Sequence, residues 1–187
     1  MKRHALGYTL IGVMALVVGC AQRQPGAVVA DLLPDQVAAL RRLDVFVGRW
    51  AVHGTIRRPR DDPPLALTGE NEVRWDGHLL IARGRATVEG VDSTAVSMLT
   101  YDPIGKIYRA VSISPNGSVA IGTAEHDDQA AILRGRHDSV GPDGAMTWEG
   151  EVRWVDPNTK AERWVGYPAG SSSEEKVVIE KTEQRLR

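Results

Sequence analysis

Residues 146–154 read Met-Thr-Trp-Glu-Gly-Glu-Val-Arg-Trp. At a period of two, Met146, Trp148, Gly150, Val152 and Trp154 share one face, and Thr147, Glu149, Glu151 and Arg153 share the other. One dry face and one wet face describe a strand in an antiparallel sheet that packs on one side only. Moving outward, turn signals recur at short intervals: Arg58-Pro59 to Pro64, Asp76-Gly77, Glu89-Gly90, Asp102-Pro103, Asn116-Gly117, Asp127-Asp128, Pro142-Asp143-Gly144, Asp156-Pro157-Asn158 and Pro168 to Ser173. These breaks divide residues 44–187 into about ten candidate strands. The connections are too short for crossover helices, so consecutive strands must run antiparallel. A sheet of that width with one polar face can curl and close, which removes the edges that invite aggregation. The fold expected is all-β: an antiparallel up-and-down barrel of about ten strands.

Upstream of the strands, Pro34 opens PDQVAALRRLDVF, where Val37, Leu40 and Leu43 recur at helical spacing and proline suits the first turn. One short helix over about 34–43 is expected. Residues 20–33, with Pro25-Gly26, read as a tether. Residues 1–19 carry Lys2 and Arg3 ahead of the apolar stretch Ala5 to Val18. That stretch falls short of the roughly 20 residues of a spanning helix and reads as an export signal. It ends Leu16-Val17-Val18-Gly19-Cys20, which resembles the bacterial lipobox. The resemblance implies cleavage between Gly19 and Cys20 and a lipid on the Cys20 thiol. It also implies a membrane partner reached through that lipid, with Ala21 favouring the outer membrane of a Gram-negative envelope. The organisation expected is thus signal 1–19, tether 20–33 and barrel domain 34–187.

Composition narrows the function classes. The 187 residues hold 23 Lys and Arg against 24 Asp and Glu, so the basic excess of a nucleic-acid binder is lacking. Cys20 is the one cysteine, which excludes a disulfide framework and a cysteine zinc cluster. Two short sequences recur, Glu-Val-Arg-Trp at 72–75 and 151–154 and Arg-Gly-Arg at 83–85 and 134–136, in opposite order in the two halves. They do not define a tandem repeat. In each Arg-Gly-Arg, an inward glycine making room for an indole between two outward arginines is the expectation.

Gly48-Arg49-Trp50, following the short helix, resembles the Gly-x-Trp signature of lipocalins and other calycins. That resemblance implies that Gly48 and Trp50 begin the first strand and that Trp50 closes the barrel floor. It also implies a basic residue of the last strand, Arg185 or Arg187, packed over the indole. The lipocalin Thr-Asp-Tyr motif is missing. The series Leu43 to Trp50, Trp75-Asp76-Gly77 to Leu80, Leu99-Thr100-Tyr101-Asp102-Pro103 with Lys106 and Tyr108, Asn116-Gly117 and Ile121-Gly122-Thr123 resembles a secreted bacterial family, domain of unknown function 1579. The resemblance spans about residues 40–187. It implies a calycin-like barrel and no established activity.

No pair of histidines stands at metal-ligand spacing, and no nucleophile elbow is present, so no catalytic residue, metal or cofactor is expected. His126 adjoins Asp127-Asp128 and reads as a turn tip; His137 shares a face with Leu133 and Gly135 and can face the interior. Barrels of the nitrobindin type hold haem through one histidine, which keeps His137 open as a haem ligand. Arg109 shares a face with Ile107, Val111 and Ile113. Turned inward, its guanidinium would need an internal glutamate or the head group of a fatty acid or similar amphiphile. Turned outward, it would reach solvent beside those aliphatic side chains.

The leading expectation is a lipid-anchored envelope protein that binds a small hydrophobic or amphiphilic ligand, with Arg109, His137, Trp148 and Trp154 lining the cavity. Two other classes stay open. A packed interaction or assembly module would have large inward residues and no continuous cavity. A hydrolase or isomerase would have an inward cluster of titratable groups with mutually perturbed pKa values.

Overall fold

The computed structural model describes residues 32–59, 63–170 and 176–187. The signal, Gly19, Cys20 and nearly all of the tether lie outside the described residues. Helix α1 (Pro34–Arg41) runs into a 3-10 turn over Arg42–Phe46. Ten strands follow: β1 (Gly48–Arg57), β2 (Leu65–Asp76), β3 (Leu79–Val88), β4 (Val91–Asp102), β5 (Ile107–Ile113), β6 (Val119–Asp127), β7 (Ile132–Gly141), β8 (Gly144–Asp156), β9 (Thr159–Pro168) and β10 (Val177–Arg185). Each strand pairs antiparallel with the next, and β1 pairs with β10, so the sheet is a closed up-and-down barrel. Both the architecture and the places of the turns agree with the sequence reading.

Turn chemistry explains the tight corners. The two-residue loop between β3 and β4 puts Glu89 at φ 49° and Gly90 at φ 79°, the backbone of a type I′ hairpin. At Asn116-Gly117 only the glycine takes positive φ. Its N–H bonds back to Ser114, and the Ser114 N–H donates to Ser118 across the mouth of the hairpin.

Helix α1 starts at a proline, carries Asp35 in its first turn and Arg41 in its last, and buries Ala39 and Leu40. With Leu43 and Phe46 from the 3-10 turn, it plugs one end of the barrel. Three aromatic side chains of the barrel tie the plug down. Trp50 Nε1 donates to the Phe46 carbonyl at 2.8 Å, Tyr108 Oη to that of Ala39 at 2.8 Å, and Trp75 Nε1 to Asp44 Oδ1 at 2.8 Å. The far end has its own apolar cluster of Ile56, Leu67, Ala86 and Val88. Between the two ends lies a cavity.

The outer face is not uniformly polar. Met98, Val111 and Ile121 stand side by side on β4, β5 and β6, and beside them run Val96, Ile113 and Val119. Inward positions of β5 belong instead to Tyr108, Ala110 and Ser112.

Candidate functional site

The cavity has a volume of about 310 Å³, near the lower end of the range for small-molecule pockets. Small residues make the space. Ala82, Gly84, Ala95, Ser97 and Ala110 line one side, where larger side chains would fill it. Opposite stand His137, Trp148 and Trp164. The His137 ring lies 6.2 Å from that of Trp148, stacked, and 5.1 Å from that of Trp164. Glycines seat both indoles: a Cβ on Gly150 would come within 2.5 Å of Trp164, and one on Gly166 within 2.8 Å of Trp148. Gly135 also leaves room for Trp164, whereas Gly84, in the other Arg-Gly-Arg, faces Asn71 Oδ1 rather than an indole. Trp148 Nε1 donates to Ser139 Oγ at 3.3 Å.

The third side of the cavity is ionic. Lys160 and Glu162 on β9 and Lys181 and Glu183 on β10 all point inward, since residues two apart share a face. Register sets Lys160 opposite Glu183 and Glu162 opposite Lys181, giving a square of alternating sign. Lys160 Nζ lies 2.9 Å from Glu183 Oε2 and 3.4 Å from Glu162 Oε1. Lys181 Nζ lies 2.6 Å from Glu183 Oε1 and 3.0 Å from Glu162 Oε2. Asn71 Nδ2 donates to Glu183 Oε1 at 2.9 Å, and Trp164 Nε1 to Glu162 Oε2 at 3.2 Å. Lys160 Nζ also sits 5.0 Å from the ring centres of both Phe46 and Trp50.

Burial and charge pull these groups in opposite directions. Burial alone would raise the Glu183 carboxyl, but Lys181 and Lys160 hold it well below the usual carboxylate range. Burial alone would lower the Lys181 ammonium, and Glu162 and Glu183 raise it above its ordinary value. Both groups therefore stay charged. His137 has no such partner: burial pushes its imidazole down to about 4, and Asp138 offsets this only in part. It is neutral at pH 7.

The candidate residues named from the sequence fall in different places. His137 and Trp148 line the cavity. Trp154 does not; it packs edge-on against Phe46, 4.5 Å between ring centres, because the plug occupies its level of the barrel. Arg109 is a correction too. Its side chain lies on the outer surface, 58% exposed, and binds Asp102 at 2.8 Å, because β5 turns Ile107, Val111 and Ile113 outward with it. His126, expected at a solvated turn tip, is largely buried beside Trp154, with Nδ1 3.0 Å from Asp128. At the floor, the Arg185 guanidinium lies 4.3 Å from the centre of the Trp50 ring. It donates to the carbonyls of Val47 and, at 2.9 Å, of Val45. Gly48 takes φ 138° directly beneath that guanidinium, where a Cβ would collide with Arg185 Nη1.

Haem would need His137 as its axial ligand. An axial histidine needs an open ring nitrogen, and His137 Nε2 is covered and without a partner, with two indoles packed near the ring. The site does not fit the group. Among the described residues no cluster of three or more His, Cys, Asp or Glu side chains could hold a metal ion.

These features define a closed ten-stranded antiparallel barrel with an interior cavity. No protein-family model and no curated protein sequence matches the chain. Among solved structures, Rv2717c from M. tuberculosis is similar, with a TM-score of 0.60 and 16% identity over 84% of this chain and 100% of that one. A redesigned β-barrel, b11L5F_LGL, aligns with a TM-score of 0.42 and 14% identity over 79% of this chain and 96% of that one. At these identities the likeness to Rv2717c is one of fold.

Proposed function

We propose that this chain is a lipid-anchored envelope protein of the domain-of-unknown-function-1579 type, whose barrel takes one small amphiphilic ligand into its cavity. The observation that carries the reading is the cavity itself, with small residues on one side and two indoles and a neutral imidazole on the other. A barrel serving only as a packed module would have filled that space with side chains.

The ionic square meets one criterion for an enzyme, an inward cluster of mutually perturbed groups. The direction of perturbation argues against acid–base work. A general acid or base needs a pKa near the working pH, whereas Glu183 and Lys181 are each pushed away from it. The square is better suited to positioning than to proton transfer.

The test is native mass spectrometry and solvent extraction of the chain from residue 20 onward, with Cys20→Ser to prevent acylation, beside the same chain carrying Ala110→Leu. Ala110 lines the cavity and a leucine there occupies ligand space. The expected result is a ligand of defined mass on the first protein and at least about tenfold less on the second, a difference of about 1.4 kcal/mol. No extractable ligand, together with no uptake of fluorescent lipid probes, overturns the proposal.

A further inference from the structure

The cavity's polar groups specify which amphiphile fits, an inference that rests on the ligand-binding reading above. Two lysines and two glutamates neutralise one another within the square, and each carboxylate touches both ammonium groups. The square itself leaves no net charge to balance an ionic ligand.

Two hydrogen-bonding positions nevertheless remain open to the cavity. Lys181 has three N–H donors, of which Glu162 and Glu183 take two, and its side chain is the most exposed of the four at 19%. Asn71 must direct its NH₂ to Glu183, because a carboxylate only accepts; this leaves Oδ1 as an acceptor with no other partner among the described residues. Gly84 keeps the space in front of that oxygen clear, since a Cβ there would lie 2.6 Å from it. Lys181 Nζ and Asn71 Nδ2 both bind the same oxygen, Glu183 Oε1, so the open donor and the open acceptor are neighbours.

We infer that the ligand is an uncharged amphiphile whose polar end both accepts and donates a hydrogen bond, such as an alcohol, a primary amide or a protonated acid, held between Lys181 Nζ and Asn71 Oδ1. A hydroxyl takes a proton from the ammonium and gives one to the amide oxygen. A carboxylate would place acceptor against acceptor at Asn71 and lie beside two glutamates, with its charge unbalanced. An alkylammonium would meet Lys181. The neutral His137 and the two indoles add no charge elsewhere in the lining.

Three probes of one chain length separate the possibilities: decan-1-ol, decanoate and decylammonium, titrated against the same Cys20→Ser chain at pH 7.5. Binding is read by tryptophan fluorescence, to which Trp148 and Trp164 respond, and by native mass spectrometry. Decanol is expected to bind at least about tenfold more tightly than either ion, since it alone satisfies both the open donor and the open acceptor. Gly84→Ala, which crowds Asn71 Oδ1, is expected to reduce that preference to below about threefold with the barrel still folded by circular dichroism. Asn71→Leu is expected to do the same, so one unfolded variant does not remove the test. Decanoate binding as tightly as decanol, or a preference unchanged in both variants, overturns this inference and leaves the ligand-binding barrel standing. Binding of none of the three removes both.

Discussion

His137 is a base buried beside two indoles, and that setting decides its titration. Its folded pKa of about 4 lies below the ordinary 6.5 because burial disfavours the imidazolium. Between those values the unfolded chain holds a proton that the folded chain does not. Stability is therefore fully present above pH 6.5 and is lost as the pH falls toward 4. The loss between pH 7.5 and pH 5 is expected to be about 2 kcal/mol. Urea unfolding of His137→Phe should lack this slope, and at neutral pH the variant should be as stable as the parent or more so, because it removes the unpartnered Nε2. A slope unchanged in the variant would place the titration elsewhere. Glu183 acts in a lower window: its stabilising ionisation is complete above the ordinary 4.5 and is lost as the pH falls below that value.

Two strands, β9 and β10, carry the pattern Lys-x-Glu at 160–162 and 181–183, and their register turns it into the square. Removing one partner of such a buried set leaves an uncompensated charge, at about 3–5 kcal/mol. Lys160→Met and Glu183→Leu are each expected to show a loss of that order. The double variant restores neutrality and should lose less than the two together, with a coupling of about 1–3 kcal/mol in a urea double-mutant cycle. Strict additivity would mean that the square is not one unit.

Much of this element was legible in advance. Once Arg185 is placed over Trp50, a period of two puts Glu183 and Lys181 inside as well, and Lys160-Ala161-Glu162 repeats the pattern one strand earlier. Charged residues read as solvent-facing by default, and that default hid them. Other features were not legible. Trp148 and Trp154 share a face of β8, yet only the first reaches the cavity, because periodicity gives the side of a strand and not the depth along the barrel. Arg109 misled for another reason. The aliphatic side chains of β5 point outward and its inward face is Tyr108, Ala110 and Ser112, so apolar character marked the wrong side.

At the scale of the whole molecule, the proposed anchor can be tested apart from the cavity. A Cys20 thiol carrying diacylglycerol holds a protein at a bilayer far more firmly than a single acyl chain does. In cells, Cys20→Ser is expected to shift the protein from the membrane fraction to the soluble fraction and to abolish incorporation of labelled palmitate, while the barrel's circular dichroism is unchanged. Retention in the membrane without label would remove the lipoprotein reading and leave the fold untouched.

The seam where β1 meets β10 joins opposite ends of the barrel sequence, Trp50 against Arg185, and it carries half of the interior charges. Closing so long a loop is entropically the most demanding step of assembly. Without β10, Lys160 and Glu162 lack Glu183 and Lys181, and β9 is left with an unpaired edge. A chain cut before β10 would be a gutter and not a vessel, left unsealed along its whole length.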